Sequence, residues 1–351
     1  NTKKNKANGI LDLFVLSDYV RNNQRLTEIM GRHIHIIDAA NIEMWLYILQ
    51  RFPKVEFDKY WNDYRERSKD ALVELEQVAP YFALTEEEIY EGERKKDLMG
   101  LHDPFVCVSS RDSMYLSVAN PTMDARYHDY RDSDINRLKD SAGYLAKRDI
   151  VAVRMGRYVE GNAEFENCID YANKYYDELM DIVLMRDCKF FVGDSNGVSV
   201  VPMALNKPVA MKNVVPVFLD VWGWSQMNPQ SMYIFKKYYK KSENRFLSVR
   251  EMMKVEKKVQ CNGRRYAKMG IEVVENSEEE ILDLTVEMNE RLDGTWVETA
   301  EDMERQKQYD DLLREWCIKE NYKWSALLHA KVGTLFLRKN PFLLENSDDG
   351  D

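Results

Sequence analysis

The sequence predicts an α/β fold with two doubly wound parallel sheets and a helical C-terminal tail. Three observations lead there. Short apolar runs alternate with stretches of helical spacing along residues 10–52 and again along 104–285. Most of these runs are continuous rather than alternating, as in strands buried on both faces. At 351 residues the chain also exceeds what one hydrophobic core usually supports, so two domains are expected. The pattern divides the chain into an N-terminal domain over 1–95, a second α/β domain over 96–295, and C-terminal helices over 296–351 that pack back across the domains.

The elements follow in order. "ILDLFVLSD" is a buried strand, "VRNNQRLTEIMGR" a helix, "HIHIID" a strand, and "AANIEMWLYILQRF" a helix that stops before Pro53. A long charged helix spans 57–79. "LTEEEIYEGERKKDLMG" opens with Thr85 and Glu88 in capping-box spacing and ends on Gly100. The second block reads as a strand at 104–110, a helix at 133–148 capped by Ser133 or Asp132, and a strand at 149–156. Then come the helix "YANKYYDELMDIVLMR", a strand at 188–193, the short helix "SVVPMALN" and the strand "PVAMKN". "GIEVVENS" is a strand and "EEEILDLTVEMNERL" a helix opened by Ser277. The tail from 297 to 345 is charged helix, and "ENSDDGD" reads as a disordered end. The chain begins at Asn1 in the Lys/Asn-rich "NTKKNKAN", from which an upstream segment is expected.

Composition narrows the function. The formal charge of −10 argues against non-specific nucleic-acid binding. No run of about 18 apolar residues predicts a membrane span, and no signal peptide is visible. The five cysteines are scattered and form no CxxC pair. Cys107 and Cys188 lie in apolar runs, the pattern of thiols in a reducing compartment, so a cytoplasmic protein is expected.

Three polar knots follow predicted strands: "SSRDS" (109–113), "RMGR" (154–157) and "GDSNG" (193–197). Ligands of open parallel sheets bind beyond the carboxyl ends of the strands, so the fold would gather these knots on one rim. Gly193 and Gly197 permit a tight turn and close backbone approach, and the helix after them offers free N–H groups to a diphosphate. Asp194, Ser195 and Asn196 lie between; the plainer reading is a turn with an Asp or Ser N-cap. Arg111 and Arg154 end apolar strands, where each needs a partner: a bound diphosphate, or internally Asp112 or Asp170. His128, in "HDYRDSD", is a candidate base, though a single His is more often structural. "DSD" (132–134) resembles a metal-binding DxD but precedes a helix, so a cap is expected and no metal. His33 and His35 share a strand face without a third ligand. "FKKYYKKSENR" (235–245) is a solvated face, or else sits on an anionic surface or lipid phosphate.

At these knots the chain resembles a bacterial glycosyltransferase family associated with surface-carbohydrate gene clusters. The matching stretches are "PYFALTEEE", "PFVCVSSRDSMYL", "YHDYRDSDI", "VRMG", "IDYAN", "DIVLMRDCKFFVGDSNGVSVVP", "IEVVENSEEEI", "GTWVET" and "FLRKNPFLL", in order over 80–344. "LDLFVLSD…NNQRLTEIMGRHIHII" is similar to that family's earlier region. The resemblance implies a GT-B-like arrangement of two facing Rossmann-like domains. The donor nucleotide-sugar would lie in the C-terminal domain and the acceptor in the cleft. It implies donor contacts from Arg111, Arg131, Arg154, Gly156 and the turn from Gly193 through Asp194, Ser195 and Asn196 to Gly197. It also implies a base at His128 or Asp112, and neither metal nor cofactor. Two departures matter. Ser109 stands where many relatives carry a His, which moves the expected base to His128. Asp194 sets a carboxylate beside the expected phosphate site, where it would cap the helix or hold sugar hydroxyls.

The expected function is sugar transfer from a nucleotide-sugar to a surface-glycan precursor or other glycan or lipid-linked acceptor, in polysaccharide biosynthesis at or near the inner membrane face. A nucleotide-sugar epimerase of the same architecture and a non-catalytic nucleotide- or glycan-binding protein are the alternatives.

Overall fold

The computed structural model describes residues 13–16, 23–33, 35–38 and 83–345, apart from 103, 120, 123, 164, 219–227, 260 and 320–329. The helices expected over 39–52 and 57–79, and both chain ends, lie outside the described residues.

Strand β1 (Leu13–Leu16), helix α1 (Gln24–Gly31) and strand β2 (His35–Asp38) form a parallel βαβ unit with Leu13 opposite His35. Asn23 caps α1, its Oδ1 accepting the Leu26 N–H at 2.9 Å. Helix α2 (Glu86–Leu98) carries the expected capping box: Thr85 Oγ1 accepts the Glu88 N–H, and the Glu88 carboxylate accepts the Thr85 N–H. Arg32 and Glu88 join the unit to α2 through bonds of 2.9 and 2.6 Å.

The main body begins with β3 (Phe105–Val108), α3 (Lys139–Ala146), β4 (Val151–Arg154) and β5 (Cys168–Ile169). Then come α4 (Glu178–Asp187), β6 (Phe191–Gly193), α5 (Gly197–Ala204), β7 (Val209–Val214) and β8 (Met232–Phe235). A small antiparallel sheet follows, of β9 (Lys237–Lys240), β10 (Arg245–Phe246) and β11 (Ile271–Val274). Helices α6 (Glu278–Leu292) and α7 (Ala300–Lys319) and strand β12 (Lys331–Val332) complete the frame.

Seven strands make one parallel sheet in the order β12-β8-β7-β6-β3-β4-β5. The strands expected at 104–110, 149–156 and 188–193 are parallel neighbours, which puts the knots after them on one rim as expected. Winding starts at β3, runs outward through β4 and β5, then returns to the other side of β3 for β6, β7 and β8. That reversal puts a topological switch between β3 and β6. All four residues of β3 are buried, which requires the continuous apolar run seen there. All six of β7 are buried too, Lys212 and Asn213 among them, and both of these polar side chains bond to Asp194.

Several elements differ from the sequence reading. The 271–274 strand is not in the main sheet; it pairs antiparallel with β9, and Glu272 faces outward on its half-exposed face. The single helix expected from 171 to 186 is two, 171–174 and α4, because Asp177 caps a new start by accepting the N–H groups of Leu179 and Met180. The helix expected from 133 is a 3-10 turn over Ile135–Leu138 followed by α3. Its cap is Asp134, whose Oδ1 accepts the Asn136 N–H, rather than Ser133 or Asp132. The tail contributes a strand as well as helices: β12 pairs with β8, Lys331 opposite Met232. "FKKYYKKSENR" runs through β9 and β10 and is no free basic face. Lys236 donates to backbone carbonyls, Lys237 pairs with Glu280, Lys240 with Glu243, Lys241 with Glu272, and Arg245 with Glu243 and Glu251. Among the described residues no helix is long and apolar enough to cross a membrane.

Candidate functional site

A cavity of about 810 Å³ lies at the carboxyl ends of β3, β4 and β6. Its walls come from the loops after these strands, from α4 and α5, and from α1 of the N-terminal unit. Ser109, Arg111, Asp112, His128, Arg131, Gly156, Ser195, Asn196 and Gly197 all line it, so most of the residues singled out in sequence do converge. Arg154, Gly193 and Asp194 do not line it.

Asp194 turns inward. It is 1% exposed, and four groups donate to its carboxylate. Lys212 Nζ (2.8 Å) and Asn213 Nδ2 (3.3 Å) reach Oδ1; the Arg111 N–H (2.6 Å) and Ser133 Oγ (2.5 Å) reach Oδ2. It neither caps α5 nor lines the cavity. The cap is Asn196, whose Oδ1 accepts the Ser199 N–H at 3.1 Å while Ser199 Oγ accepts the Asn196 N–H. Ser199 is thereby satisfied, and the N–H groups of Gly197 and Val198 belong to the first turn, which has no acceptor within the helix. A Cβ built at Gly197 meets nothing within 4 Å, so the space in front of that turn is open, and Gly197 lines the cavity there.

Gly193 serves packing instead. A Cβ there would lie 2.5 Å from Ser109 Oγ and 2.6 Å from the Phe191 ring. Arg154 is likewise internal: it is 2% exposed, donates to the carbonyls of Gly161 (2.9 Å) and Glu160 (3.0 Å), and pairs with Asp170 at 3.4 Å. Of the two carboxylates open to it in sequence, Asp170 is its partner. Gly156 has φ +147°, and a Cβ there would meet Val159 Cγ1 at 2.5 Å.

The cationic rim is made by Arg111 and Arg131, with His128 between them. Arg111 pairs with Asp132 and donates to the His128 carbonyl at 3.4 Å. Burial, with Arg131 nearby, lowers its pKa from the usual guanidinium value. Arg131 donates Nη2 to the Ser195 carbonyl at 2.8 Å, tying the 125–131 turn to the start of α5. Burial and the two arginines lower the His128 pKa below the ordinary 6.5, so the imidazole is neutral at pH 7. Its Nδ1 and the Ser109 hydroxyl are both enclosed without a hydrogen-bond partner among the described residues. A buried polar group left so costs about 1–3 kcal/mol, which a ligand bonding to it would recover.

Asp112 is pinned by backbone. Its Oδ1 accepts the Met114 N–H at 3.0 Å and its Oδ2 the Glu160 N–H at 2.9 Å. The "DSD" residues are divided: Asp132 pairs with Arg111, Ser133 donates to Asp194, and Asp134 caps. Among the described residues no three His, Cys, Asp or Glu side chains converge as for a metal.

Three contributors are not expected at this site from sequence, in which Lys236 is only part of the 235–245 basic stretch. Lys212 is wholly buried and fastens Asp194 to Ser110 and Ser133. Lys236 donates to the carbonyls of Tyr130 (3.1 Å) and Asp132 (2.6 Å), holding the His128 turn from below; burial pushes its pKa down to about 8. Asp181 lines the cavity from α4.

No family model matches the chain, and no curated protein does. Among solved structures, the crystal structure of the glycosyl transferase family 9 from Veillonella parvula DSM 2008 is similar, with 14% identity and a TM-score of 0.39. The match covers 60% of this chain and 52% of that one, about half the length of that protein. A likeness of that size says nothing of this chain's activity.

Proposed function

We propose that this chain is a glycosyltransferase that moves a sugar from a nucleotide-sugar donor to a glycan acceptor. The observation that carries the reading is the convergence of Arg111, Arg131, His128 and the open first turn of α5 on one cavity at the switch between β3 and β6. A departing nucleoside diphosphate gathers negative charge. Two guanidiniums and a helix N-terminus, already oriented and partly shielded from water, stabilise that charge as it forms. A guanidinium has five N–H donors, so the one bond from Arg131 to Ser195 leaves others for phosphate oxygens. The cavity has room for a nucleotide-sugar and part of an acceptor. The family resemblance of the sequence points the same way.

Isothermal titration with UDP, GDP and ADP tests the binding half: at least one binds, and an absence of binding by all three ends the reading. Incubation of nucleotide-hexoses with and without glycan acceptors tests the chemistry. Release of nucleoside diphosphate that an acceptor accelerates supports transfer. Conversion of the nucleotide-sugar alone would make the protein an epimerase, and binding without conversion a non-catalytic receptor. Since arginines and helix dipole neutralise the leaving group here, EDTA leaves turnover unchanged.

A further inference from the structure

The cavity has a second wall of different chemistry. Leu26 and Met30 of α1 and Ile182 and Met185 of α4 make it apolar, and Asp181 is the carboxyl on it. Among the described residues the cavity is lined by one other carboxyl, Asp112, whose two oxygens are bound to the backbone N–H groups of Met114 and Glu160. Asp181 is held differently. Oδ2 accepts from Asn23 Nδ2 at 3.1 Å, and Oδ1 lies 3.0 Å from the Tyr171 hydroxyl.

That hydroxyl has one proton and two claimants. It stands 2.6 Å from the Asp177 carbonyl, its shorter contact, while accepting the Asp177 N–H at 3.0 Å. With its proton on Asp177, Tyr171 can only accept from Asp181, so a proton on Oδ1 completes the network. When Asp181 is ionised, the Tyr171 proton can swing to it instead. The site thus accommodates both forms of the carboxyl, as a proton-transfer residue requires.

Enclosure acts in the same direction. It is the largest influence and pushes the carboxyl up to about 7; Glu178 pushes further, while Tyr171, Asn23 and Arg157 oppose. Arg157 is itself paired with Glu178 at 3.1 Å. Tyr176 and Cys107, on which the Asp181 charge also acts, hold their protons at pH 7, and burial raises their pKa values further.

We propose that the α1–α4 wall is the acceptor subsite and that Asp181 is the base for the acceptor hydroxyl. The role rests on the glycosyltransfer reading above. The hydroxyl proton passes to an Asp181 oxygen as the acceptor oxygen bonds to the anomeric carbon. The bond from that carbon to the diphosphate oxygen breaks, and its electron pair leaves with the nucleoside diphosphate. His128, between Arg111 and Arg131, then belongs to the phosphate side of the cavity and not to the acceptor.

Asp181→Asn keeps the size of the side chain and its contact with Asn23. Three measurements apply: nucleoside diphosphate affinity by calorimetry, nucleoside diphosphate release from UDP-, GDP- and ADP-hexoses with acceptor or water, and that release across about pH 5 to 9. Expected is an affinity within about twofold of wild type, since a base acts in the transition state. Release should fall by roughly a hundredfold or more, and the acidic limb of the wild-type profile, near pH 7, should vanish. Asp181→Glu, which keeps a carboxyl, should restore part of the rate. Should wild type release nucleoside diphosphate and Asp181→Asn retain both rate and acidic limb, Asp181 is not the base and glycosyltransfer stands. Should wild type neither bind nor release any, the glycosyltransfer reading fails and this role with it.

Discussion

Lys212 Nζ lies 2.8 Å from Asp194 Oδ1, and neither residue is more than 1% exposed. The lysine stands on β7 and the aspartate at the end of β6, yet their contacts extend to Ser110, Arg111 and Ser133. The pair therefore sets the position of the loop after β3, which carries the cationic rim, against the loop after β6, which leads into α5.

Removing one partner should be costly. Lys212→Met leaves the Asp194 charge enclosed without its cation, a change that typically costs about 3–5 kcal/mol. Urea unfolding should register a loss of that order. The double variant Lys212→Met/Asp194→Asn, which removes both charges, should be more stable than the sum of the single changes indicates. Strict additivity would mean that the two groups do not act as a pair.

Two kinds of arginine should separate cleanly. Arg111→Ala or Arg131→Ala removes a charge from the cavity wall. A lost charged hydrogen bond is worth about 1.5–3 kcal/mol, so nucleoside diphosphate affinity should fall on the order of ten- to a hundredfold. Arg131→Lys should recover only part, for want of the planar fork. Arg154→Ala should instead lower stability, because Asp170 and the carbonyls of Gly161 and Glu160 lose their donor, while calorimetry finds affinity nearly unchanged in the folded protein. A large affinity loss in Arg154→Ala would put that residue back at the ligand.

How far the sequence discloses this site depends on the range of the forces involved. β3, β4 and β6 are legible because strands buried on both faces need uninterrupted apolar runs. The capping boxes at Thr85 and Ser277 are legible because both partners lie within four residues. β5 and β12, two residues each, carry no periodic signal, and β8 is obscured by the lysines that follow it. The inward turn of Asp194 depends on Lys212, and a lysine inside a strand reads as a surface residue until its partner is known. Asp181 is the instructive case. In "ELMDIVLM" it reads as a solvated acid of an amphipathic helix, yet its neighbours Leu179, Met180, Ile182 and Val183 are all buried. Such a carboxyl within a buried run is the available signal; its enclosure comes from Tyr171 and from Asn23, more than 150 residues away.

Gly156 should resist substitution for two separable reasons. Its φ of +147° strains any L side chain, and a Cβ would overlap Val159. Gly156→Ala should lower the thermal midpoint and disturb the rim that Gly156 helps to line. Gly156→Ala/Val159→Ala removes the overlap and leaves the backbone strain, so it should restore part of the loss. Full restoration would show that overlap alone mattered; none would assign the cost to the backbone.

The pH dependence of stability should report Asp181 and His128 with opposite signs. Asp181 has a folded-state value near 7, against about 3.9 for an unfolded aspartate. Between these values the folded chain holds a proton that the unfolded chain has released, so wild type loses stability as pH rises from about 4 to 7. Asp181→Asn cannot titrate. Its stability relative to wild type should rise through that window and level off above it, by on the order of 2–4 kcal/mol at about 1.4 kcal/mol per unit of displacement. His128 runs the other way. Its folded value is lowered, so below about 6.5 the unfolded chain takes up a proton that the folded chain refuses, and wild type loses stability as pH falls. His128→Gln should therefore gain on wild type at acidic pH and show no such gain above about 7. Urea titrations of the three proteins at about pH 5, 6, 7 and 8 resolve the two slopes. A flat difference between Asp181→Asn and wild type would mean that Asp181 is an ordinary ionised carboxylate, unsuited to take a proton at neutral pH.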